Sequence, residues 1–363
     1  MFSNIFYKKK IIITGHTGFK GSWLTLWLLS LGADICGISL NPITNPSHFE
    51  LLNLRKKISH NIIDIRNYRK IEKIIIKFKP NYIFHLAAQP LVSHAYKDPL
   101  YTFETNVLGT TNILQVIRKL ERKCIAILVT SDKSYKNLEL QRGYKENDLL
   151  GGDEPYGASK AAAEVIINAY YKSFIQNSSK IRIGIGRAGN VIGGGDWSID
   201  RIVPDTIKSW SNNSFLKIRN PHSTRPWQFV LEPLSGYLTL AEKLTKKNSL
   251  NGEAFNFGPS NYDKTVKELI EEISKKLSNL KFELMMNNKT KFKESNLLKL
   301  NCKKAKSLIN WKSSLNFHQT VDLTSSWYDD YYKHRDNVEE LSINIIKKYE
   351  NIAKQKNIEW AIS

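Results

Sequence analysis

Residues 14–21 of the chain read Thr14-Gly15-His16-Thr17-Gly18-Phe19-Lys20-Gly21, directly after a short apolar run and directly before a helical pattern. Glycines three residues apart allow a tight turn, and they let a pyrophosphate approach main-chain N–H groups at the N-terminus of a helix. The spacing is GxxGxxG, a variant of the commoner GxGxxG. The stretch therefore predicts a strand–turn–helix unit that binds a dinucleotide.

Short apolar runs alternate with amphipathic stretches from the N-terminus to residue 190. The runs are rich in Ile, Val and aromatic residues, as buried parallel strands are, and they cover residues 10–14, 33–40, 82–88, 125–131 and 181–187. The stretches between them predict helices over 21–31, 68–78, 102–120 and 156–174. This alternation predicts a doubly wound α/β fold, in which a parallel sheet carries helices on both faces.

The pattern changes after residue 190, where Gly, Trp and Pro become frequent up to residue 227. We therefore predict a dinucleotide-binding domain over residues 1–190 and a smaller C-terminal α/β substrate domain over residues 191–332. Segments near 232–257 are expected to return to the first domain. Residues 333–363 form a polar, charged tail, for which helical packing and fraying are both open.

The composition is that of a globular protein, but the formal net charge is +20, from 54 Lys and Arg against 34 Asp and Glu. Such a charge fits a nucleic-acid or membrane partner, or else a solvated basic surface. We favour the solvated surface, with no nucleic acid and no membrane as partners, because no zinc finger, RNP motif or basic zipper accompanies the charge. The three cysteines are far apart, which argues against disulfides and a cysteine zinc site. We predict no metal site.

No targeting signal is recognisable near the N-terminus. The first long apolar stretch, residues 23–31, is far shorter than the ~20 residues that cross a bilayer. Together with the few cysteines, this leads us to expect a cytoplasmic protein.

A second motif, Tyr156-Gly157-Ala158-Ser159-Lys160, opens a predicted helix. Residues four apart share one helix face, so the phenol and the ammonium point the same way. A nearby cation lowers the pKa of a phenol and lets it act as a base near neutral pH. YxxxK is common by chance, but here it follows a dinucleotide loop, as a pair beside a cofactor should.

A third motif, Ser131-Asp132-Lys133, leaves the strand predicted at 125–131. Ligands of open parallel sheets bind outside the carboxyl ends of the strands. A hydroxyl, a carboxylate and an amine in succession there can supply a hydrogen-bond donor, an acid and a base. A polar turn that only caps the strand is the alternative.

Together these motifs make the chain similar to the extended short-chain dehydrogenase/reductases of nucleotide-sugar metabolism, over residues 10–331. Further support comes from His85-Leu86-Ala87-Ala88-Gln89, Asn106-Val107-Leu108-Gly109-Thr110 and Arg187-Ala188-Gly189-Asn190-Val191. Within that family the chain resembles the 4,6-dehydratases, through GHTGFKGSWL, SDK, GGGDW at 193–197 and RNP…RPWQFVLEPLSGYL at 219–238. The resemblance implies a Rossmann-type fold with a smaller substrate domain.

The resemblance also implies a reaction, the conversion of CDP-D-glucose to CDP-4-dehydro-6-deoxy-D-glucose and water. Tyr156 would take the proton of the 4-hydroxyl, Lys160 would lower the pKa of that phenol, and Ser131 would hydrogen bond O4. Asp132, when protonated, would be the acid for the departing 6-hydroxyl. Related dehydratases have Glu at the next position, where this chain has Lys133, either the C5 base or a cation that steadies the enolate.

NAD is the cofactor that the resemblance implies, with NADP left open because no carboxylate ends the second strand. That strand ends in Ile38-Ser39-Leu40-Asn41, and a serine can bond a ribose hydroxyl or a 2′-phosphate. Asp64 is a candidate to reach the adenine instead. The cofactor-binding residues that we expect are Gly15, Thr17, Gly18, Phe19, Lys20, Gly21, Ser39, Asp64, Ile65, Leu86, Ala87, Ala88, Gln89, Asn106, Tyr156 and Lys160.

The nucleotide sugar carries a diphosphate, which Arg binds better than Lys because its planar fork makes paired hydrogen bonds. By resemblance Asn190 and Arg225 contact the pyrophosphate. A surface ion pair is the alternative for each arginine. The substrate-binding residues that we expect are Gln89, Ser131, Asn190, Asp196, Trp197, Arg201, Arg219 and Arg225.

Members of the family usually pair through two long helices, so the resemblance implies a homodimer or a tetramer, with 102–120 and 156–174 as the pairing helices. The product would be a precursor of dideoxyhexoses in O-antigen and other surface polysaccharides. Two other functions stay open. One is a 4,6-dehydratase or 4-epimerase of a dTDP-, GDP- or UDP-linked sugar, and the other is a basic nucleic-acid-binding or dinucleotide-sensing protein that has lost catalysis.

Overall fold

A parallel sheet forms the centre of the molecule. The structure is a computed structural model that describes residues 1–259, 264–285, 298–334 and 337–363. Its strands are β1 (Lys10–Thr14), β2 (Asp34–Ser39), β3 (Ser59–Ile62), β4 (Tyr82–His85), β5 (Cys124–Val129), β6 (Ile181–Ala188), β7 (Val191–Ile192), β8 (Phe215–Ile218), β9 (Thr224–Arg225), β10 (Gln228–Phe229), β11 (Ala254–Phe257), β12 (Lys264–Thr265) and β13 (Lys281–Leu284).

The helices connect and cover these strands. They are α1 (Phe19–Ser30), α2 (His48–Leu51), α3 (Tyr68–Phe78), α4 (Val92–Lys97), α5 (Pro99–Phe103), α6 (Gly109–Ile117), α7 (Pro155–Tyr170), α8 (Ile202–Ser211), α9 (Leu231–Lys246), α10 (Val266–Ser274), α11 (Lys303–Ile309), α12 (Phe317–Lys333), α13 (Val338–Gln355) and α14 (Glu359–Ile362). Short 3-10 turns occur at Phe2–Asn4, Leu54–Lys56, Asp132–Ser134 and Asn248–Leu250, and π-helical segments at Glu104–Leu108 and Tyr171–Ile175.

The main sheet has seven strands in the order β11-β6-β5-β4-β1-β2-β3, and each neighbouring pair is parallel. The chain winds outward from β1 in both directions, so the order reverses between β1 and β4. Ligands of open α/β sheets bind in the crevice at this reversal, outside the carboxyl ends of the strands. The glycine loop follows β1 at that edge.

Both faces of the sheet are covered by apolar packing, which confirms the predicted doubly wound fold. On one face Trp23 and Trp27 of α1 pack with Leu240 of α9 and Trp327 of α12. On the other face α3, α6 and α7 bury an Ile-rich cluster that includes Ile71, Ile113 and Ile167. Burial of such side chains stabilises the fold by about 1.5–3 kcal/mol each.

The predicted elements of the first half are present, with differences at their ends. The strand predicted at 82–88 ends at His85, and residues 86–89 are not part of a strand. The helix predicted at 102–120 begins at Pro99, whose ring suits a first helical turn, and it ends at Ile117. A π-helical segment, Glu104–Leu108, interrupts it where Asn106 turns inward.

The second half adds small sheets and returns to the first one. Strand β11 pairs with β6 (Ala254 opposite Ile185), as expected for segments near 232–257. Among the described residues, three two-stranded sheets, β10–β7, β12–β9 and β13–β8, lie outside the main sheet. The domain boundaries at residues 190 and 332 stay a prediction, and residues 260–263 and 286–297 of that interval lie outside the described residues.

The charged tail is helical and packed. Tyr349 of α13 and Trp360 of α14 are at most 1% exposed and stack on each other. Trp360 also stacks on Phe2, so the two ends of the described chain pack together. Over the described ranges, the structure contains no helix with the length and apolar character needed to cross a membrane.

Candidate active site

The glycine loop forms an open cradle at the N-terminus of α1. Gly15 has φ of +77°, and a Cβ there would lie 2.8 Å from the main-chain nitrogen of Ala87. Gly18 is the N-cap of α1 and is exposed. Free N–H groups at a helix N-terminus attract negative charge, so this cradle fits the pyrophosphate of a dinucleotide.

A chain of hydrogen bonds fixes the strand ends below the cradle. Thr110 Oγ1 donates its proton to the carbonyl oxygen of Asn106 (2.7 Å), so it must accept the bond from His85 Nε2 (3.1 Å). His85 Nδ1 then accepts from Thr14 Oγ1 (2.7 Å), which in turn accepts from the N–H of Ala87 (3.2 Å). This order requires a neutral His85, and burial lowers its pKa to about 3.

Two predicted cofactor residues, Gln89 and Asn106, hold the loop after β4. Asn106 accepts from the N–H of Gln89 at 2.8 Å and donates to Ser159 Oγ on α7, also at 2.8 Å. The side chain of Gln89 is used locally, since it donates to Thr102 (2.9 Å) and accepts from the N–H of Leu91 (2.6 Å). The side chains of Gln89 and Asn106 therefore hold the loop after β4 in place.

The residues predicted for the adenosine end form their own contacts. Thr17 Oγ1 lies 2.7 Å from Ser39 Oγ and 2.9 Å from the carbonyl oxygen of Leu40. The Asp64 carboxylate is paired with the Arg66 guanidinium, at 2.8 Å. Hydrogen bonds from Arg66 lower the pKa of Asp64 although burial raises it. Asp64 thus faces an arginine, and Ile65 next to it is buried.

Tyr156 and Ser131 come together where β5 and α7 meet. Glu154 caps α7 by accepting from the N–H groups of Tyr156 and Gly157, both at 2.8 Å. Burial raises the pKa of the Tyr156 phenol to about 12, while a hydrogen bond with Ser131 and the charge of Arg201 lower it. The phenol therefore needs further cationic help to act as a base.

Lys160 lies one helical turn beyond Tyr156 and is 7% exposed. Its Nζ donates to the carbonyl oxygen of Val129 at 3.5 Å, a weak contact. Burial lowers its pKa to about 8, and the charge of Glu164 opposes that shift. Lys160 is thus a cation at neutral pH, available to a ligand beside Tyr156.

Asp132 is 5% exposed and starts the 3-10 turn after Ser131. Its Oδ1 accepts from Ser131 Oγ at 2.9 Å. Burial raises the pKa of Asp132, against the hydrogen bond from Ser131 and the charges of Lys133 and Arg225. A buried carboxyl with a raised pKa suits an acid. Lys133 itself is only partly buried, and its N–H donates to Ser131 Oγ at 3.2 Å.

Lys20 extends from the glycine loop toward Lys160 and Asp132. Its Nζ donates to the hydroxyl of Tyr237 at 3.0 Å and stands 5.2 Å from the centre of that ring. Burial lowers the pKa of Lys20 to about 7, as do the charges of Lys160 and Arg201, whereas Asp132 raises it. Sequence reasoning missed Tyr237, because a tyrosine inside an apolar helix signals core.

The predicted substrate residues fall into two groups. Arg201 pairs with Asp196 at 3.1 Å, and its charge lowers the pKa of Tyr156, as the charge of Arg225 lowers the pKa of Asp132. The charge of Arg219, in contrast, lowers the pKa of Asp205. Asn190 is exposed.

Trp197, which was predicted to bind the substrate, and Trp227 of the segment at 219–238 both have packing partners. Trp227 is buried in the core and donates from Nε1 to the carbonyl oxygen of Lys264 at 3.0 Å. Trp197 is partly buried against the aromatic rings of Trp327 and Tyr331. Trp227 is thus a core residue, whereas Trp197 keeps a partly exposed face near Asp196.

This geometry, a glycine cradle beside Ser131, Tyr156 and Lys160, agrees with the comparison with known proteins. The profile of the family described as GDP-mannose 4,6 dehydratase matches residues 12–324. The chain belongs to this family. A CDP-glucose 4,6-dehydratase of Salmonella typhimurium is 40% identical over 337 residues, which are 92% of this chain and 94% of that protein.

More distant family relatives and solved structures agree on the fold. A CDP-paratose 2-epimerase of Salmonella typhi is 29% identical over 272 residues, 69% of this chain and 78% of that protein. The dTDP-glucose 4,6-dehydratase of Streptomyces venezuelae superposes with a TM-score of 0.75 at 20% identity, covering 92% of this chain and 99% of that chain. An epimerase of Methanothermobacter thermautotrophicus gives a TM-score of 0.78 at 21% identity, covering 92% and 95%.

In the described part of the chain, no group of three or more His, Cys, Asp or Glu side chains could hold a metal ion. His16 bonds to His60 at 2.7 Å, and His48 lies between Ser22 and Ser342. Burial lowers the pKa values of His16 and His48 to about 3, so both are neutral packing residues.

Proposed function

We propose that the chain converts CDP-D-glucose to CDP-4-dehydro-6-deoxy-D-glucose and water. The observation that carries this proposal is the buried carboxyl of Asp132 beside the pair of Ser131 and Tyr156. An oxidoreductase that only moves hydride needs the pair, whereas removal of water also needs an acid. The relative with 40% identity, a CDP-glucose 4,6-dehydratase, supports the same substrate.

The reaction begins at C4 of the sugar. Tyr156 takes the proton of the 4-hydroxyl while Ser131 hydrogen bonds O4. Lys160, whose pKa is about 8, is cationic at neutral pH and favours the phenolate form of Tyr156. When bound, NAD supplies the acceptor of the C4 hydride and the donor of the hydride that returns to C6.

The elimination follows because a C4 ketone makes the C5 proton acidic. A base removes that proton, and the C6–O bond breaks as Asp132 gives its proton to the departing oxygen, which leaves as water. A proton then returns to C5. Lys133 is the proposed base or the cation beside the enolate, and its position next to Asp132 supports either role.

The glycine cradle supports NAD as the proposed cofactor, held by the predicted cofactor residues. NAD is present in the solved dTDP-glucose 4,6-dehydratase of Streptomyces venezuelae. Arg225 and Arg201 are proposed to face the diphosphate, because their charges already reach the catalytic residues Asp132 and Tyr156. We also keep the division at residues 190 and 332, with the second part supplying Arg201 and Arg225.

The test is a substrate panel. The purified chain is incubated with CDP-, dTDP-, GDP- and UDP-glucose, and the masses of the products are measured by mass spectrometry. We expect CDP-glucose to lose the mass of one water, with little change in the other three. A keto product from another nucleotide sugar, with none from CDP-glucose, would favour the family's other substrates. No turnover together with steeply salt-dependent DNA binding would favour a non-catalytic protein.

We further propose a homodimer that forms through α5, α6 and α7. Leu100, Val165 and Phe174 are 70%, 60% and 52% exposed on these helices and the adjoining π segment. Exposed apolar side chains on helices that contact one another favour burial against a second copy. We expect Val165→Glu to give monomers in sedimentation velocity and Leu149→Glu, on a loop and 69% exposed, to leave dimers. Monomers in the unaltered chain would refute the proposal.

The proposed reaction also suggests a place in the cell. A 4-keto-6-deoxy sugar nucleotide is a precursor for deoxygenated sugars of O-antigen and other surface polysaccharides. We propose a cytoplasmic enzyme that supplies such a pathway. Fractionation of cells that express the chain with a C-terminal tag would test the location, and recovery in the membrane fraction would contradict it.

A further inference from the structure

The turn that carries Asp132 is closed in by the end of β6. A Cβ added at Gly189 would lie 2.9 Å from Asp132 Oδ2 and 3.7 Å from Cγ of Pro226. Real Cβ atoms essentially never come so close to another heavy atom, so a side chain at Gly189 would force the carboxyl or the strand end to move. Gly189 is not one of the residues with positive φ, so its main chain does not itself require glycine.

The other oxygen of Asp132 is held from the opposite side. Ser131 Oγ donates to Oδ1 at 2.9 Å. Oδ2 thus faces the Cα of Gly189, which carries no side chain, and Pro226 lies close to the same position. Asp132 is only 5% exposed, so its carboxyl has little room to turn elsewhere.

We propose that Gly189 is a positioning residue for the elimination step, because its missing side chain leaves the space in which the Asp132 carboxyl stands. This inference rests on the proposed function, in which Asp132 protonates the departing 6-hydroxyl. A methyl group at Gly189 turns the carboxyl away from the 6-hydroxyl. It leaves Ser131, Tyr156 and Lys160 in place, so oxidation at C4 continues.

The consequence is a specific fault in the reaction. In Gly189→Ala the C4 ketone still forms, but the C6–O bond breaks slowly because the leaving oxygen lacks its proton donor. The oxidised sugar and reduced nicotinamide then accumulate. We expect kcat for dehydration to fall about 100-fold, the lower end of what a general acid contributes. KM for CDP-glucose and the affinity for NAD should change little.

The test is a double-mutant cycle of Gly189→Ala and Asp132→Ala, which separates coupled from independent sites. Asp132→Ala removes the atoms that the methyl group would strike. We therefore expect the double variant to match Asp132→Ala within about 2-fold in kcat. Equal activity of Gly189→Ala and the unaltered chain, or losses that multiply in the double variant, would overturn the proposal.

Gly184→Ala is the matched control. A Cβ at Gly184 of β6 would come equally close, 2.8 Å, to the Leu240 side chain in the core. We expect it to lower the melting temperature without accumulation of reduced nicotinamide. The same accumulation in this control would show a general packing effect and contradict the proposal.

A variant that is too unstable for kinetics still gives a result. If the melting temperature of Gly189→Ala is too low for kinetics, it is measured again in the Asp132→Ala background, where the methyl group has room. Recovery of the melting temperature supports the contact, and equal instability contradicts it. Failure of the proposed function is distinct, since the unaltered chain would then make no keto sugar from CDP-glucose.

Discussion

Helix α7 carries two buried charged side chains one turn apart, Lys160 and Glu164, and they differ in how fully they are hydrogen bonded. Glu164 is fully buried, and its carboxylate accepts from Thr130 Oγ1 at 2.7 Å and from Arg187 Nε at 2.9 Å. Lys160 is also buried, but its ammonium donates over a long distance, 3.5 Å, to the carbonyl oxygen of Val129.

The surroundings of the two charges extend this contrast. Arg187 continues from Glu164 to the hydroxyl of Tyr135 (2.6 Å), which donates to Asn256 (2.7 Å). Lys160 instead stands beside Tyr156, where the glycine cradle opens. A buried charge whose hydrogen bonds are complete holds the fold together, whereas one with spare hydrogen-bonding capacity at an open cleft is arranged for a ligand.

The largest effect is expected from breaking the paired cluster. Glu164→Ala leaves the Arg187 guanidinium buried without its carboxylate, which costs roughly 3–5 kcal/mol of the free energy of unfolding. Urea unfolding followed by circular dichroism measures this loss. The control is Glu72→Ala, which removes a surface ion pair with Lys119 and should cost far less of the free energy of unfolding, because solvent screens such pairs. Similar losses in the two variants would remove the distinction between the clusters.

Tyr156→Phe should have the reverse profile, with activity lost and stability kept. The phenol is the proposed base for the 4-hydroxyl, so kcat should fall about 10²–10⁴-fold. Isothermal titration should show NAD binding within a few-fold of the unaltered chain, and the melting temperature should hold. A Tyr156→Phe variant that turns over CDP-glucose at the normal rate would remove Tyr156 from the mechanism.

The sequence was sufficient for the fold of the first half and for the placement of Tyr156 and Lys160 on one helix. The glycine loop, the strand runs and the YxxxK spacing are local patterns, and local periodicity decides such elements. The bounds Lys10–Thr14 and Tyr68–Phe78 came out as predicted. The π-helical segments were not foreseeable, because they arise from tertiary contacts such as that between Asn106 and Ser159.

The side-chain directions in the site were beyond the sequence. Lys20 stays a predicted cofactor residue, and its ammonium donates to Tyr237 of α9, which is 217 residues away along the chain. Asp64 stays a predicted adenine contact, and it pairs with Arg66. Both outcomes depend on which partner the fold brings near, and no spacing rule records that.

A smaller and more selective effect is expected at Lys133. If its amine removes the C5 proton, Lys133→Ala should slow exchange of the C5 hydrogen with deuterated water about 10-fold or more, and oxidation at C4 much less. Mass spectrometry of recovered substrate and product measures the exchange. Lys136→Ala, an exposed lysine on the same loop, is the control. A larger loss in oxidation than in exchange would refute a base role.

The last prediction concerns the free energy of unfolding that is lost by burying the Lys160 ammonium. The pKa of Lys160 is about 8 in the fold against 10.5 ordinarily, so between these values the unfolded chain binds more protons. The free energy of unfolding therefore rises with pH between these two values. The full cost of burying the charged ammonium is present below pH 8. Lys160→Met should then be more stable than the unaltered chain at pH 7 by about 1 kcal/mol, although inactive.

This gain should shrink toward pH 10, where the unaltered chain is relieved of the buried charge. Urea unfolding of the two proteins side by side at each pH cancels the other titrating groups. The same comparison with Arg187→Met should show a loss of stability at every pH, because Arg187 is paired with Glu164 and stays charged. A Lys160→Met variant that is less stable at pH 7, or a gain that grows with pH, would mean that Lys160 helps hold the fold as Arg187 does.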